Sequence, residues 1–182
     1  NILDCQNTTS TGSLTDGEYA INVSDSVPYT GGNGGNHDGQ TVASSGVTGL
    51  YATLEPGTFA NYVGTLIYTI TGIPSGSGTA SFDLNIGGQT CTLTRAVNAQ
   101  GGIIATLDCA GATPIGTLTQ GVAASGVSSR VPYTGGNGGT HAGQTVGSTG
   151  VTGLTATLQA GIFANADDTL IYNITGIPSG MG

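Results

Sequence analysis

The sequence predicts an all-β chain of two tandem antiparallel β-sandwich domains, the second lacking its last strands. Three observations carry this expectation. Apolar residues alternate with Thr and Ser at a period of two over several stretches, as half-buried antiparallel strands require. No window reads as helix, because Gly and β-branched residues are too frequent. The chain also repeats itself at an interval of 104 residues, close to one β-sandwich domain of about 100 residues.

Pro28 and Pro132, Cys5 and Cys109, His37 and His141, Phe59 and Phe163, and Pro74 and Pro178 all keep that interval. Residues 1–78 and 105–182 share 50 identities in 78 positions. The interval is too long for short-period solenoids or propellers. The first repeat covers residues 1–97, a Gly-bearing linker covers 98–103, and the second repeat covers 104–182.

Early strands are expected around Leu3–Cys5, Tyr19–Val23, Gln40–Ala43 and Leu50–Leu54. The stretch VPYTGGNGG occurs at Val27–Gly35 and again, unchanged, at Val131–Gly139. It reads as a strand end, with Pro at an edge position, running into a flexible Gly turn. It is not a phosphate loop, since no helix and no Lys follow. Its glycines stay while positions 36 and 38 change, as a backbone needing positive φ would require; close contact with a neighbouring domain fits equally. In GTLIYTITG, Leu66, Tyr68 and Ile70 alternate with Ile67, Thr69 and Thr71. In TASFDLNI the inward set is Ala80, Phe82, Leu84 and Ile86, and in TCTLTRAV it begins with Cys91 and Leu93. Gly87-Gly88 between those two runs is a two-residue hairpin signal, and GIPSGSG (Gly72–Gly78) is a loop.

Only 7% of the residues are charged, against about 25% in ordinary globular domains. The formal charge is −8, with Arg95 and Arg130 the two basic residues. Phosphate binding is driven by Lys and Arg, so no nucleic acid partner is expected, and an anionic membrane surface is excluded by the same reasoning. No apolar run approaches the ~18 residues of a membrane span, so membrane insertion is not expected. Low charge and abundant Thr fit secreted surface proteins, and the lack of a starting Met or a leader reads as a piece of a longer, already exported polypeptide.

The three cysteines follow the repeat. Cys5 falls in the first predicted strand and Cys91 in the last of unit 1, and a disulfide between them is expected. Two buried free thiols are the alternative, because strand-end geometry is not readable from sequence. Cys109 repeats Cys5, and its own partner would lie 104 residues past Cys91, beyond the chain end. A disulfide implies an oxidising, extracytoplasmic setting. Unit 2 stops where unit 1 continues into SFDLNIGGQTCTLTRAV. Either those strands are cut off from a longer array, or neighbouring chains supply them by strand addition.

His37 and His141 hold the same loop position, but no shared carboxylate or thiol accompanies them: Asp38 becomes Ala142 and Asp25 becomes Ser129. A metal needs several convergent ligands, and a catalytic His needs a nucleophile and an orienting group. Each His therefore reads as bonding loop backbone. GGNGGNHDG matches Ca²⁺-binding Gly/Asp repeats weakly, and those work only when stacked in series. Asp4 and Asp108 recur beside the first Cys and read as turn acceptors, with a calcium site at a domain junction as the alternative. Thr-rich outer faces raise ice or sugar binding. Ice-binding faces come from short-period solenoids, and sugar platforms favour exposed aromatics, whereas Tyr29, Tyr133, Tyr68 and Tyr172 are expected inside the sandwich. The sequence thus predicts no catalytic residue, no cofactor and no metal. Asn7, Asn22 and Asn173 lie in Asn-X-Ser/Thr triplets, which matter only in a host that glycosylates them.

GTLIYTITGIPSGSGTASFDLNIGG (Gly64–Gly88) resembles the closing strands of tandem bacterial immunoglobulin-like repeats in large secreted surface adhesins. In those repeats an Ile-x-Gly-x-Pro strand end meets a Gly-bearing loop and a Phe-x-Leu-x-Ile strand. The resemblance implies an immunoglobulin-like β-sandwich for each unit, an extracellular or cell-surface location, and a structural or adhesive role as stalk, fibre or filament. It implies neighbouring repeats of the same polypeptide as partners, with surface glycans as a further class, and no catalytic residues. The alternative function is a carbohydrate-binding accessory module of a secreted enzyme. Asp25-Ser26-Val27 and Asp168-Thr169-Leu170 resemble the Asp-(Ser/Thr)-aliphatic pattern that carries O-glycans in some such bacteria, making Ser26 and Thr169 candidate O-glycosylation sites.

Overall fold

Period-2 stretches become strands throughout residues 2–181, the part of the chain described by the computed structural model. Contacts divide it into unit 1, Asn1–Gln100, and unit 2, Gly101–Gly182. Unit 1 contains β1 (Ile2–Leu3), β2 (Thr9–Thr11), β3 (Leu14–Thr15), β4 (Val23–Asn33), β5 (Asn36–His37), β6 (Gln40–Ala43), β7 (Ser45–Gly46), β8 (Leu50–Leu54), β9 (Gly57–Thr58), β10 (Asn61–Gly72), β11 (Gly78–Ile86) and β12 (Gln89–Asn98). Unit 2 contains β13 (Thr106–Leu107), β14 (Thr113–Ile115), β15 (Val127–Thr134), β16 (Thr140–His141), β17 (Gln144–Gly147), β18 (Leu154–Leu158), β19 (Gly161–Ile162) and β20 (Asp168–Gly176). No helix occurs among the described residues. Of the segment 98–103 read as a linker, Asn98 closes β12. Gly102 and Ile103 donate their N–H groups to the Thr140 carbonyl and to Asn137 Oδ1, at 2.7 and 2.9 Å.

Unit 1 has a six-stranded sheet in the order β1-β4-β10-β8-β6, with β2 also on β4, and a four-stranded sheet in the order β3-β12-β11-β7. The chain passes from one sheet to the other at Ser44, between β6 and β7. Of the predicted inward set, Leu66, Tyr68, Ile70, Ala80, Phe82, Leu84 and Leu93 are buried, while Ile86 and Cys91 at the hairpin end are half-buried against the same core, to which both sheets contribute. Each such large side chain contributes about 1.5–3 kcal/mol through burial. The Gly87-Gly88 hairpin is also present, with Ile86 opposite Gln89 and φ of 59° and 74° at the two glycines. A disulfide joins Cys5 to Cys91, with the Cα atoms 5.9 Å apart. Unit 2 forms a six-stranded sheet, β13-β15-β20-β18-β17 with β14 on β15, matching the larger sheet of unit 1, and a two-stranded sheet of β16 and β19, matching the β5-β9 pair of unit 1.

Several expectations are corrected. The pairing is not wholly antiparallel, since β3 runs parallel to β12 with Leu14 opposite Val97. No strand covers residues 19–22. Asn22 sits at φ 55°, a left-handed conformation that interrupts extended backbone, so β4 starts at Val23 while Tyr19 and Ile21 face solvent. The first strand is Ile2–Leu3, and Cys5 lies beyond it in a turn. Pro28 is not at a strand end. It lies inside β4, opposite Thr65 of β10, and its carbonyl accepts the Asp4 N–H at 2.9 Å. The N and O atoms of a strand residue point to the same side, so the missing N–H faces the gap where the chain leaves β1 before returning as β2. A ladder interior tolerates Pro only at such a break.

Candidate functional site

The repeated Gly stretch builds the same small structure in both units. In unit 1 β4 runs on through Gly31 and Gly32 to Asn33 before the corner, whereas in unit 2 β15 ends at Thr134 and the glycines follow it outside the strand. Gly31 and Gly34 have φ of 77° and 74°, and their counterparts Gly135 and Gly138 have 62° and 76°. A side chain is strained in that region. Gly32 and Gly136 are required for space instead: a Cβ there would strike the carbonyl of Ala60 or Ala164 and come within 2.9 Å of the Tyr29 or Tyr133 ring. Loop closure is secured by the Phe59 N–H donating to the Gly35 carbonyl and by the Gly35 N–H donating to Asn33 Oδ1, both at 2.9 Å.

These corners hold an aromatic cluster that the sequence reading missed. Tyr29 meets Phe59 edge-on, with ring centroids 5.4 Å apart, and His37 leans on Phe59 at 4.8 Å. Tyr133, Phe163 and His141 repeat this at 5.3 and 4.6 Å. The tyrosine hydroxyls accept the N–H groups of Ala60 and Ala164 at 2.6 and 2.7 Å. Such edge-on pairs add about 0.5–1.5 kcal/mol beyond area burial. The available signal was that all three aromatic positions recur at the 104-residue interval.

His141 Nδ1 accepts the N–H of Gly143 at 3.2 Å, the backbone role expected of it. His37 differs: its Nδ1 is buried with no hydrogen-bond partner. Among the described residues no three His, Cys, Asp or Glu side chains converge as metal ligands would. A cleft of about 320 Å³ opens under the unit 1 corner beside Ile2, Tyr29, Phe59 and Gln89. Tyr29 is its one titratable lining residue, so the cleft offers no acid–base pair.

Asp25 and Arg95 form a second missed feature. Both are buried, with Nη1 2.9 Å from Oδ1. Arg95 Nη2 also donates to the carbonyls of Gly12 at 2.6 Å and Thr11 at 3.4 Å. Asp25 Oδ1 accepts the Ser10 hydroxyl, while Oδ2 has no partner. The signal lay in parity. Cys91 and Leu93 point inward, so Arg95, two residues on, does too.

The remaining candidates fall as follows. Asp4 accepts N–H bonds from Gln6 and Asn7 and a 2.6 Å bond from Asn7 Nδ2. The Asn7 side-chain bond is the main cause holding its carboxyl below the usual carboxylate range. Asp108 accepts the Gly111 N–H at 2.8 Å, so both recurring aspartates cap turns. Ser26 is half-buried within β4, between Thr9 and Ile67. Thr169 is half-buried in β20, opposite Pro132. Cys109 is a free, exposed thiol. Tyr29, Tyr68 and Tyr133 are inside as expected and Tyr172 is half-buried, while Tyr19, Tyr51 and Tyr62 are exposed. The outer face of the large unit 1 sheet carries a registered hydroxyl row, Thr41–Thr53–Thr69–Ser24–Thr11, across five strands.

Comparison with known protein families, characterised proteins and solved structures finds no match to this chain.

Proposed function

We propose that the chain is a pair of immunoglobulin-like β-sandwich repeats from an extracellular bacterial surface protein, acting as a stalk, fibre or adhesive segment and not as an enzyme. Neighbouring repeats are its standing partners. The observation that carries the reading is that both units rebuild one set of devices: the positive-φ glycines, the Tyr–Phe–His cluster and the two capped aspartates. None of these pairs a nucleophile with a base, and all of them fix backbone. The disulfide supports an oxidising compartment. It also suits mechanical duty. With 86 residues of separation inside the covalent loop, force on the termini cannot extend that segment. Unfolding of the oxidised unit therefore releases roughly 300 Å less contour than the reduced one, at about 3.3–3.6 Å per residue.

Single-molecule force spectroscopy with and without reductant reads that difference directly, and equal contour gains would remove the mechanical argument. The carbohydrate-module alternative is favoured by the exposed Tyr51 beside the hydroxyl row. Saturable binding on a glycan array, abolished by Tyr51→Ala, would decide for that alternative.

A further inference from the structure

The joining segment Gly101–Ile103 runs along the Gly corner of unit 2 as an added strand. Gly101 bridges to Thr140 in parallel, and Gly102 donates its N–H to the Thr140 carbonyl at 2.7 Å. Thr140 belongs to β16, so the segment extends the β16–β19 pair. Asn137 holds it at three points. Its Oδ1 accepts the Ile103 N–H at 2.9 Å, and its Nδ2 donates to the Gly101 carbonyl at 3.0 Å. Its backbone N–H donates to the Ile103 carbonyl at 3.2 Å. One side-chain amide therefore pairs with the peptide groups of two residues two apart, as a neighbouring strand would.

Two glycines make this approach possible. A Cβ on Gly139 would lie 2.4 Å from the Gly101 oxygen and 2.7 Å from the Gly102 nitrogen. A Cβ on Gly102 would lie 2.6 Å from the Phe163 ring and 2.8 Å from the Thr140 oxygen. Neither glycine has a positive φ, so the close passage of two backbones, and not a special conformation, calls for Gly at both places. Phe163 is itself fixed between Tyr133 and His141. The corner also has a bond of its own: Asn137 Oδ1 accepts the Gly139 N–H at 3.0 Å, as Asn33 Oδ1 accepts the Gly35 N–H at 2.9 Å in unit 1. That bond recurs in both units and is distinct from the three that reach the segment.

We propose that the VPYTGGNGG corner of unit 2 is a recognition site whose partner is the extended Gly-Gly-aliphatic segment that joins the two repeats, with Asn137 as its clamp and Phe163 as its floor. β12 closes at Asn98, so capture from Gly101 leaves residues 99–100 outside either ladder. The corner thereby shortens the tether between repeats. Each part of the motif has a task in this: Gly139 admits the passing backbone, Asn137 pairs with its peptide groups, and Tyr133 and His141 hold the ring on which Gly102 rests. The inference goes beyond the proposed surface role and does not depend on it, so its failure would leave that reading standing.

Amide hydrogen exchange and ¹⁵N relaxation on the full chain test it. In the parent, the Gly102 and Ile103 amides should be protected and as rigid on the nanosecond scale as β18 and β20. Gly139→Ala should lower protection at Gly102 and Ile103 by about tenfold or more, with β18, β20 and the Tyr133–Phe163 ring contacts unchanged. Gly147→Ala, which meets open space, should change nothing. Asn137→Asp keeps an oxygen acceptor for the Gly139 N–H but loses the donor to Gly101. It should release the segment while the Gly139 amide stays protected, and it decides the matter should Gly139→Ala unfold unit 2. Gly102 and Ile103 exchanging at the rate of an open chain in the parent, or keeping their protection in Asn137→Asp, would overturn the proposal. So would a loss in Asn137→Asp that spreads equally over β18 and β20, since that marks a residue needed by the whole unit and not a clamp on the segment.

Discussion

Replacing Asp25 with Ser, the residue unit 2 carries at 129, should strongly destabilise unit 1. Arg95 lies buried with Nη1 2.9 Å from Oδ1. At that distance and an effective dielectric of about 20, the gross attraction is roughly 6 kcal/mol. Desolvation of both charges offsets much of it, so the intact pair contributes little net stability. Breaking it is a different matter. The Gly12 and Thr11 carbonyls still satisfy Nη2, but the guanidinium charge stays buried without compensation, which costs about 3–5 kcal/mol. Adding Arg95→Leu to Asp25→Ser removes the stranded charge and should recover most of the loss. Urea titration with the disulfide intact, read by hydrogen exchange on peptides from β10 and β12, reports unit 1 separately from unit 2. A single variant within about 1 kcal/mol of the parent, or a double variant no more stable than the single, would refute the reasoning.

Opening the Cys5–Cys91 bond by Cys5→Ser with Cys91→Ser should cost unit 1 about 4–5 kcal/mol in the chain-entropy treatment, seen as a lower urea midpoint for β10 and β12. Gly32→Ala places a Cβ against the Ala60 carbonyl and the Tyr29 ring and should cost about 1–3 kcal/mol, with loss of Tyr29–Phe59 ring contacts by NMR. Gly76→Ala meets open space and should be neutral. Burial raises the Tyr68 phenol above its ordinary value of 10.0, partly offset by the bond from Gln40. A raised folded-state pKa means that its stabilising contribution is full below about pH 10 and is lost as pH rises through the folded value. Tyr68→Phe should therefore remove a late step from the alkaline tyrosinate titration and flatten the alkaline fall in stability.

Much of the fold was legible because burial in a strand is a matter of parity. Once Leu66, Phe82 and Leu93 are placed inward, every second residue follows, and the Gly87-Gly88 turn sets the register between two of the strands. The cysteine pair was legible because the repeat accounts for the third cysteine. What stayed hidden depends on residues far apart in the chain. Arg95 and Asp25 are 70 residues apart, and unit 2 keeps neither an acid at 129 nor a described counterpart of β12, so the repeat gave no hint of the pair. The Tyr–Phe–His cluster was hidden for a related reason. Recurrence marks positions as important together, but only the corner made by the glycines brings the three rings into contact.

By itself the sequence determines the alternation, the repeat and the glycines that must turn. It does not determine where every strand forms. Leu14-Thr15 and Leu118-Thr119 are the same dipeptide in the two units, yet the first is strand β3 and the second is not. Ser45-Gly46 forms β7, and Thr149-Gly150 forms no strand although its Gly keeps the same φ region. The reason is physical. A two-residue strand has almost no propensity of its own; it exists through hydrogen bonds and apolar contact with a partner, here β12 and β11. Tertiary structure supplies that partner in unit 1, and among the described residues of unit 2 no strand takes its place.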